Sequence, residues 1–158
     1  MPASEKELLR RLGEETLYSA KGHFKACDLR RQLITTTIWL CALLNVVGII
    51  GLDKKADKWL SAVGLLGTIG LLIWNEGEGK NYRAKHKEAA EKYLSIHKEI
   101  RSCYFLTGCD QETVAELSKR VVSIDKSEKP EIPGFARRWA KKAIEKADPE
   151  TDNWFLKD

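Results

Sequence analysis

The sequence lacks the motifs that usually accompany catalysis. It has no nucleophile elbow, no phosphate-binding glycine loop, no metal-ligand pair and no paired carboxylates in an apolar setting. The Gly64-x-x-Gly67-x-x-Gly70 run is not a dinucleotide fingerprint, because it lies inside an apolar stretch that no predicted strand precedes. We therefore expect no enzyme activity, no cofactor and no metal site.

A large excess of one charge is also missing. The 158 residues include 27 basic and 23 acidic side chains, for a net charge of +4. No segment is basic enough to predict a nucleic-acid partner.

Cysteine is sparse, and its spacing matches no zinc motif. The four cysteines are Cys27, Cys41, Cys103 and Cys109. On a cytoplasmic module we expect reduced thiols. The alternative is a redox sensor that uses Cys103 and Cys109.

Charge is absent from two long stretches, which determine the predicted fold class. Residues 33–52 (LITTTIWLCALLNVVGIIGL) and 59–75 (WLSAVGLLGTIGLLIWN) contain none, whereas residues 53–58 between them (DKKADK) are strongly polar. At about 1.5 Å per residue, the first stretch spans the roughly 30 Å hydrocarbon core of a bilayer. We predict an all-α membrane protein with a two-helix transmembrane hairpin. The alternative is a pair of buried core helices in a soluble protein.

Basic residues on both outer flanks of the hairpin predict that both termini are cytoplasmic. They are Lys21, Lys25, Arg30 and Arg31 before it, and Lys80, Arg83, Lys85 and Lys87 after it. The chain then divides into a cytosolic N-terminal helix (1–32), the transmembrane hairpin (33–75), a cytosolic helical module (76–125), and a linker, basic amphipathic helix and tail (126–158).

Small and weakly polar residues mark one face of each span. In the first span the residues lie within an arc of about 80°, and they are Thr37, Cys41, Asn45 and Gly48. In the second span the residues that share a face are Ser61, Gly64 and Thr68. Such residues usually mediate close helix packing. The sharper alternative is that they line a water-filled path in a homo-oligomer, since one hairpin encloses no path. Asn45 is the leading candidate, because an amide at mid-membrane depth needs a partner.

A packing seam of alternating four- and three-residue steps follows the hairpin. Its positions are Tyr82, His86, Ala89, Tyr93, Ile96, Ile100 and Cys103. We predict that the N-terminal helix, with Leu17 and Phe24 on its apolar stripe, packs antiparallel on this seam to form a helical bundle. Phe24 should then lie near residue 84 and Leu17 near residue 91. We expect His86 and His97 to be solvated or interfacial residues rather than pH sensors or ligands.

Gly77 and Gly79 follow the second span and permit a kink or break there, which predicts a hinge. Further on, Asp110 is expected to cap a helix that ends at about Asp125. Residues 135–147 have the pattern of a basic amphipathic helix, which lies either on anionic lipid or on its own helical bundle.

Two stretches carry a family resemblance. They are Lys21 to Ala26 (KGHFKA), near the membrane end of the first helix, and Tyr82 to Tyr93 (YRAKHKEAAEKY), in the helix after the hairpin. With the minimal turn between the spans, they make roughly residues 5–125 resemble the SLATT family. These are two-transmembrane effector domains associated with bacterial nucleotide-second-messenger and conflict systems.

The resemblance implies an anti-phage effector at the bacterial inner membrane. Such a protein oligomerises on a signal from a separate sensor or nucleotide-signalling protein, forms a pore or disrupts the membrane, and halts the infected cell by abortive infection. The alternative function is a non-conducting membrane anchor or scaffold that recruits a cytosolic partner.

Overall fold

The computed structural model of the chain describes residues 3–50, 56–105, 110–146 and 154–156. These residues are all-helical, with no strand among them, which confirms the predicted all-α class. The helices are α1 (Ala3–Ile50), α2 (Ala56–Trp74), α3 (Lys80–Phe105), α4 (Gln111–Lys126) and α5 (Gly134–Glu145), with a π-helical turn (Asn75–Gly79) and a 3-10 turn (Trp154–Leu156).

Helix α1 runs for 48 residues from the polar N-terminal segment into the first apolar stretch. No proline or turn cluster interrupts this part of the sequence, so the helical hydrogen bonds continue throughout. The predicted turn at 53–58 lies partly outside the described residues, and its last three residues already belong to α2.

Contacts divide the chain into two compact units. The first contains Met1–Cys27 and Lys85–Asp158, and the second contains Asp28–Ala84. We call them the polar unit and the apolar unit.

In the apolar unit, the second part of α1 and helix α2 run antiparallel. Arg30 lies against Trp74 at one end of the pair, and Asn45 lies against Gly64 further along it. Most of the large apolar side chains of the two helices are exposed. They are Leu33, Trp39, Leu40, Leu43, Val46, Val47, Ile49, Ile50, Trp59, Val63, Leu65, Leu66, Ile69, Leu72, Ile73 and Trp74.

In the polar unit, residues from α1, α3, α4, α5 and the 3-10 turn form one core. The core residues are Leu9, Leu12, Leu17, Ile96, Ile100, Cys103, Val114, Leu117, Val121, Ile144, Trp154 and Phe155. Helices α1 and α3 run antiparallel, because His23 contacts His86 and the Gly13 carbonyl contacts His97. In an antiparallel helix pair, facing residues have a nearly constant sum of residue numbers. That sum is 109 and 110 for these two pairs, compared with 108 in the expected register.

The seam positions on α3 are buried in the polar unit from His86 to Cys103. Leu17 is buried as well, and Phe24 is half-buried. Tyr82 belongs to the apolar unit. His86 and His97 are both buried, so they are not solvated.

Helix α4 begins and ends close to the predicted positions. The Asp110 carboxylate accepts a hydrogen bond from the Thr113 N–H at 2.9 Å and so caps the helix start. Helix α5 turns Ala136, Ala140 and Ile144 inward and leaves Phe135 and Trp139 exposed beside its basic residues. The inward face of α5 therefore packs against the rest of the polar unit.

Gly13 allows the C-terminal 3-10 turn to approach α1. A Cβ at this position would lie 2.5 Å from Cζ2 of Trp154 and 2.7 Å from its Cη2. The Trp154 ring is buried and contacts Tyr104, Phe105 and Phe155, while Arg10 donates a hydrogen bond to the Phe155 carbonyl. The absence of a side chain at Gly13 is thus a packing requirement.

We predict that Gly13→Ala lowers the stability of the polar unit by about 1 kcal/mol, because the clash with Trp154 exceeds the gain in helix propensity. The matched control is Gly134→Ala in α5, where a Cβ meets no atom within 4 Å. The measurement is thermal unfolding of the full chain in detergent micelles, followed by circular dichroism. Equal increases in midpoint for both variants would contradict the packing role of Gly13.

Candidate functional site

The polar residues of the apolar unit meet where α1 packs on α2. The Asn45 side chain donates a hydrogen bond to the Cys41 carbonyl at 3.1 Å, and the Ser61 hydroxyl donates to the Asn45 carbonyl at 3.4 Å. A Cβ on Gly64 would lie 2.8 Å from both Nδ2 of Asn45 and the Cys41 carbonyl oxygen. The structure thus brings Cys41, Asn45, Ser61 and Gly64 together at one helix–helix contact.

The remaining residues of the predicted polar face are arranged differently. The hydroxyls of Thr37 and Thr68 each donate at 2.8 Å to a backbone carbonyl one turn earlier, of Leu33 and Gly64 respectively. Gly48 is half-buried. Gly67 also faces α1, since a Cβ there would lie 3.1 Å from the Cys41 sulfur.

The predicted hinge glycines lie in the π-helical turn between α2 and α3, and the backbone stays helical there. The Lys80 N–H bonds to the carbonyl of Asn75 five residues earlier, and also to that of Gly77. A Cβ on Gly79 would lie 2.8 Å from Oδ1 of Asn75, whereas a Cβ on Gly77 would meet nothing within 4 Å. Because π-helical turns are marginally stable and often occur at functional positions, the hinge role of both glycines stays a prediction.

Arg30 binds both sides of this π-helical turn. Its guanidinium lies 4.3 Å from the centre of the Trp74 ring, just before the turn, and 4.4 Å from that of Tyr82, just after it. Each cation–π contact of this kind contributes about 0.5–2 kcal/mol. The Trp74 indole also donates to Glu78 at 2.7 Å. Arg30 therefore connects α1 to the residues on both sides of the turn.

A buried pair of histidines joins α1 to α3 in the polar unit. Nδ1 of His23 lies 2.8 Å from Nδ1 of His86, and Tyr93 stacks on the His23 ring. One Nδ1 must carry the proton and the other must accept it. Burial, together with the charges of His86 and Lys129, lowers the pKa of His23 to about 4. His23 is therefore neutral at pH 7.

A network of polar groups lies next to the histidine pair. The Lys129 ammonium bonds to both the Asp125 carboxylate and the Tyr93 hydroxyl, and the Tyr93 hydroxyl bonds to Asp125. Burial raises the pKa of Asp125, but the hydrogen bonds from Lys129 and Tyr93 outweigh it and hold that pKa below its usual value. The network connects α3 and α4 to the segment that follows α4.

A cavity of about 330 Å³ borders this network. It is bounded by α1, by the segment between α4 and α5, and by α5. The lining residues are Tyr18, Ser19, His23, Lys129, Pro130, Glu131, Ile132 and Arg137.

One of the three described cysteines differs from the expectation of reduced thiols. Cys103 is disulfide-bonded, whereas Cys27 and Cys41 are not. Cys109 lies outside the described residues. The expectation rested on the reducing state of the cytoplasm. It took no account of which cysteines the fold brings together.

Sequence reasoning missed His23, Arg30 and the Tyr93–Asp125–Lys129 network. In the sequence, His23 is one residue of the stretch that carries the family resemblance. Arg30 is one of several basic residues that flank the hairpin. Only the antiparallel register places each of them opposite its aromatic partners. Among the described residues no group of three or more histidine, cysteine or acidic side chains is arranged to hold a metal ion.

Two helical stretches, Glu5–Ile50 and Lys58–Phe105, each contain a segment long and apolar enough to cross a membrane, and only 6% of each segment is buried. Comparisons with family models, with curated proteins and with solved structures give no match.

We predict that Gly64→Ala separates α1 from α2, because backbone as well as side-chain atoms of α1 oppose the new methyl group. Gly70→Ala on the same helix is the matched control, since its Cβ meets nothing within 4 Å. In lipid nanodiscs, spin labels on the two helices should report a larger separation in the first variant only. Unchanged distances in Gly64→Ala would refute the close approach.

We predict that the polar unit loses stability as the pH falls from about 6.5 towards 4. In this window the unfolded chain protonates His23 while the folded chain keeps it neutral, so protons favour unfolding, by at most about 3 kcal/mol. Thermal unfolding midpoints measured across this range should fall in the wild type and change less in His23→Gln. Parallel pH profiles for the two proteins would contradict the assignment to His23.

Proposed function

We propose that the chain is an integral membrane protein in which the apolar part of α1 and helix α2 form a hairpin across a lipid bilayer. The observation that carries this proposal is the exposure of most large apolar side chains on both helices. Water is a poor solvent for such a surface, whereas the hydrocarbon of a bilayer is a good one.

The polar groups within the two helices support the same proposal. Thr37, Asn45 and Thr68 each donate to a carbonyl one helical turn earlier. A side chain in hydrocarbon needs an internal hydrogen-bond partner, since water is absent there. The basic flanks then favour both termini on the cytoplasmic side.

We propose further that the protein is a bacterial inner-membrane effector that self-associates and permeabilises the membrane, as its resemblance to the SLATT family implies. One hairpin cannot enclose a path for ions, so the conducting form is a homo-oligomer. In a single copy the Asn45 amide is occupied by the Cys41 carbonyl and faces Gly64. Conduction therefore requires a rearrangement that exposes the Asn45 face to water.

The π-helical turn is the position at which this rearrangement would begin. Its helical hydrogen bonds are irregular. Arg30 contacts the rings of Trp74 before the turn and Tyr82 after it. Release of Arg30 from these rings frees the Asn75–Gly79 turn to change its pitch. In this scheme Gly77 and Gly79 give the backbone the freedom to do so.

The contact between Asn45 and Gly64 favours a second function. If this contact persists in the membrane, the polar face is sealed within the hairpin and nothing remains to line a wet path. The chain would then be a non-conducting anchor or scaffold, and its polar unit would recruit a cytosolic partner.

We expect that expression of the wild-type chain depolarises bacterial cells and that Asn45→Leu prevents it, because leucine cannot hydrate a pore. The measurement is membrane potential by dye fluorescence at matched membrane levels of protein. The matched control is Val46→Leu, at a neighbouring position that is half exposed and outside the polar face, which should depolarise cells like the wild type.

Two results would reject conduction along the Asn45 face. One is equal depolarisation by wild type and Asn45→Leu. The other is a lack of depolarisation by every protein even when the signalling partner is activated, and this result favours the scaffold.

A further inference from the structure

We propose that the cavity in the polar unit binds a small phosphate-bearing molecule. Its volume of about 330 Å³ falls within the range of about 300–1,000 Å³ that is typical of small-molecule sites. One water occupies about 30 Å³ in the liquid, so the cavity has room for a phosphate group together with an organic substituent. This site goes beyond the membrane function, and it does not depend on whether the hairpin conducts.

The charges that line the cavity favour an anion. Arg137 and Lys129 provide two cations at the cavity wall against the carboxylate of Glu131, and Lys129 is also paired with Asp125 outside the lining. Arg137 is exposed, and it makes no ion pair within the described part of the chain. A guanidinium matches the geometry of phosphate oxygens, and an ammonium acts as a point charge beside it. The two together match a phosphate monoester, which has a charge of about −1.5 to −2 at neutral pH.

His23 supplies the observation that is independent of charge. It lines the cavity and is 1% exposed, and its Nε2 has no hydrogen-bond partner in the described structure. A buried polar atom without a partner costs about 1–3 kcal/mol. When Nδ1 of His23 accepts the proton of His86, Nε2 carries a hydrogen that a phosphate oxygen can accept. A ligand oxygen would thus satisfy the unpaired atom.

The remaining walls are suited to the organic part of such a molecule. Pro130 and Ile132 contribute apolar surface, and Tyr18 and Ser19 contribute hydroxyl groups. The walls are also preformed. A Cβ on Gly22 would lie 3.0 Å from Cδ1 of Ile132, so this glycine permits the close approach of the segment to α1. A preformed site reduces the ordering cost of binding.

The test uses the full chain in phosphatidylcholine nanodiscs and phenyl phosphate as the probe, with binding measured by isothermal titration calorimetry. We expect Arg137→Gln to weaken binding about tenfold or more, since a charged hydrogen bond is lost. The matched control is Arg138→Gln, which removes the same charge from the adjacent position outside the cavity. It should weaken binding less than about threefold.

Three outcomes of this titration would overturn the proposal. They are no binding of phenyl phosphate, equal loss in the two arginine variants, and equal binding of neutral phenol. The second would indicate general electrostatic attraction, and the third would indicate that the cavity recognises the ring alone.

A spectroscopic readout tests His23 directly. In protein labelled with ¹⁵N-histidine, phenyl phosphate should move the Nε2 signal of His23 towards that of a protonated, hydrogen-bonded nitrogen. The signal is assigned by its absence in His23→Gln. A His23 signal that does not respond when the probe is bound would overturn the role of this residue and the proposed site geometry.

A last arm separates a soluble phosphate ester from a lipid headgroup, which share this chemistry. The titration is repeated in nanodiscs that contain phosphatidic acid. Weaker apparent binding of the probe there identifies the headgroup as the competing ligand, and unchanged binding identifies a soluble ester. Both results support the phosphate site and assign its source.

Discussion

The surface of α2 and the second half of α1 determines what environment this chain needs. Leu40, Leu43, Ile49, Leu66 and Ile73 are each more than half exposed, and full burial of one such side chain is worth about 1.5–3 kcal/mol. The two helices cannot supply this burial to each other, because two cylinders in contact cover only a narrow strip of each. In the proposed bilayer setting, lipid would cover the rest without any further protein, and a hairpin with so little internal core would then be a stable form of the chain.

The same environment changes what holds the two helices together. Hydrocarbon competes with protein for apolar side chains, so the contact depends on close backbone approach and on polar groups. Gly64 and Gly67 permit that approach against Cys41 and Asn45, and Ser61 adds a hydrogen bond across the contact. If the proposed pore forms, packing and conduction would therefore compete for one set of residues. A helix pair that uses Asn45 for its own contact is closed to water, and opening it requires that another contact replace this one.

Local patterns in the sequence were sufficient to predict much of the fold. The spacing from His86 to Cys103 predicts the buried side of α3, and Asp110 followed by an apolar period predicts α4, because each depends on residues within one helix. Other features depend on pairs distant in sequence. From the sequence alone, Gly13 indicates only a position of low helix propensity, and the structure shows that Trp154 packs on it. His23 is one polar residue among many in the sequence, and the structure places His86 opposite it. The contacts of Arg30 with Trp74 and Tyr82, on the two sides of the π-helical turn, likewise join residues distant in sequence.

Lys129 connects the cavity to the contact between α3 and α4. Its ammonium has three donors, and two of them are used by Asp125 of α4 and Tyr93 of α3, so an anion in the cavity would share a cation that already joins these helices. Tyr93 also stacks on His23, which lines the same cavity. A bound oxyanion would thus act on both Lys129 and His23. It would draw Lys129 away from Asp125, and it would fix which histidine of the pair carries the proton on Nδ1. Occupancy of the proposed site would therefore be coupled, through these contacts, to the packing of α1, α3 and α4.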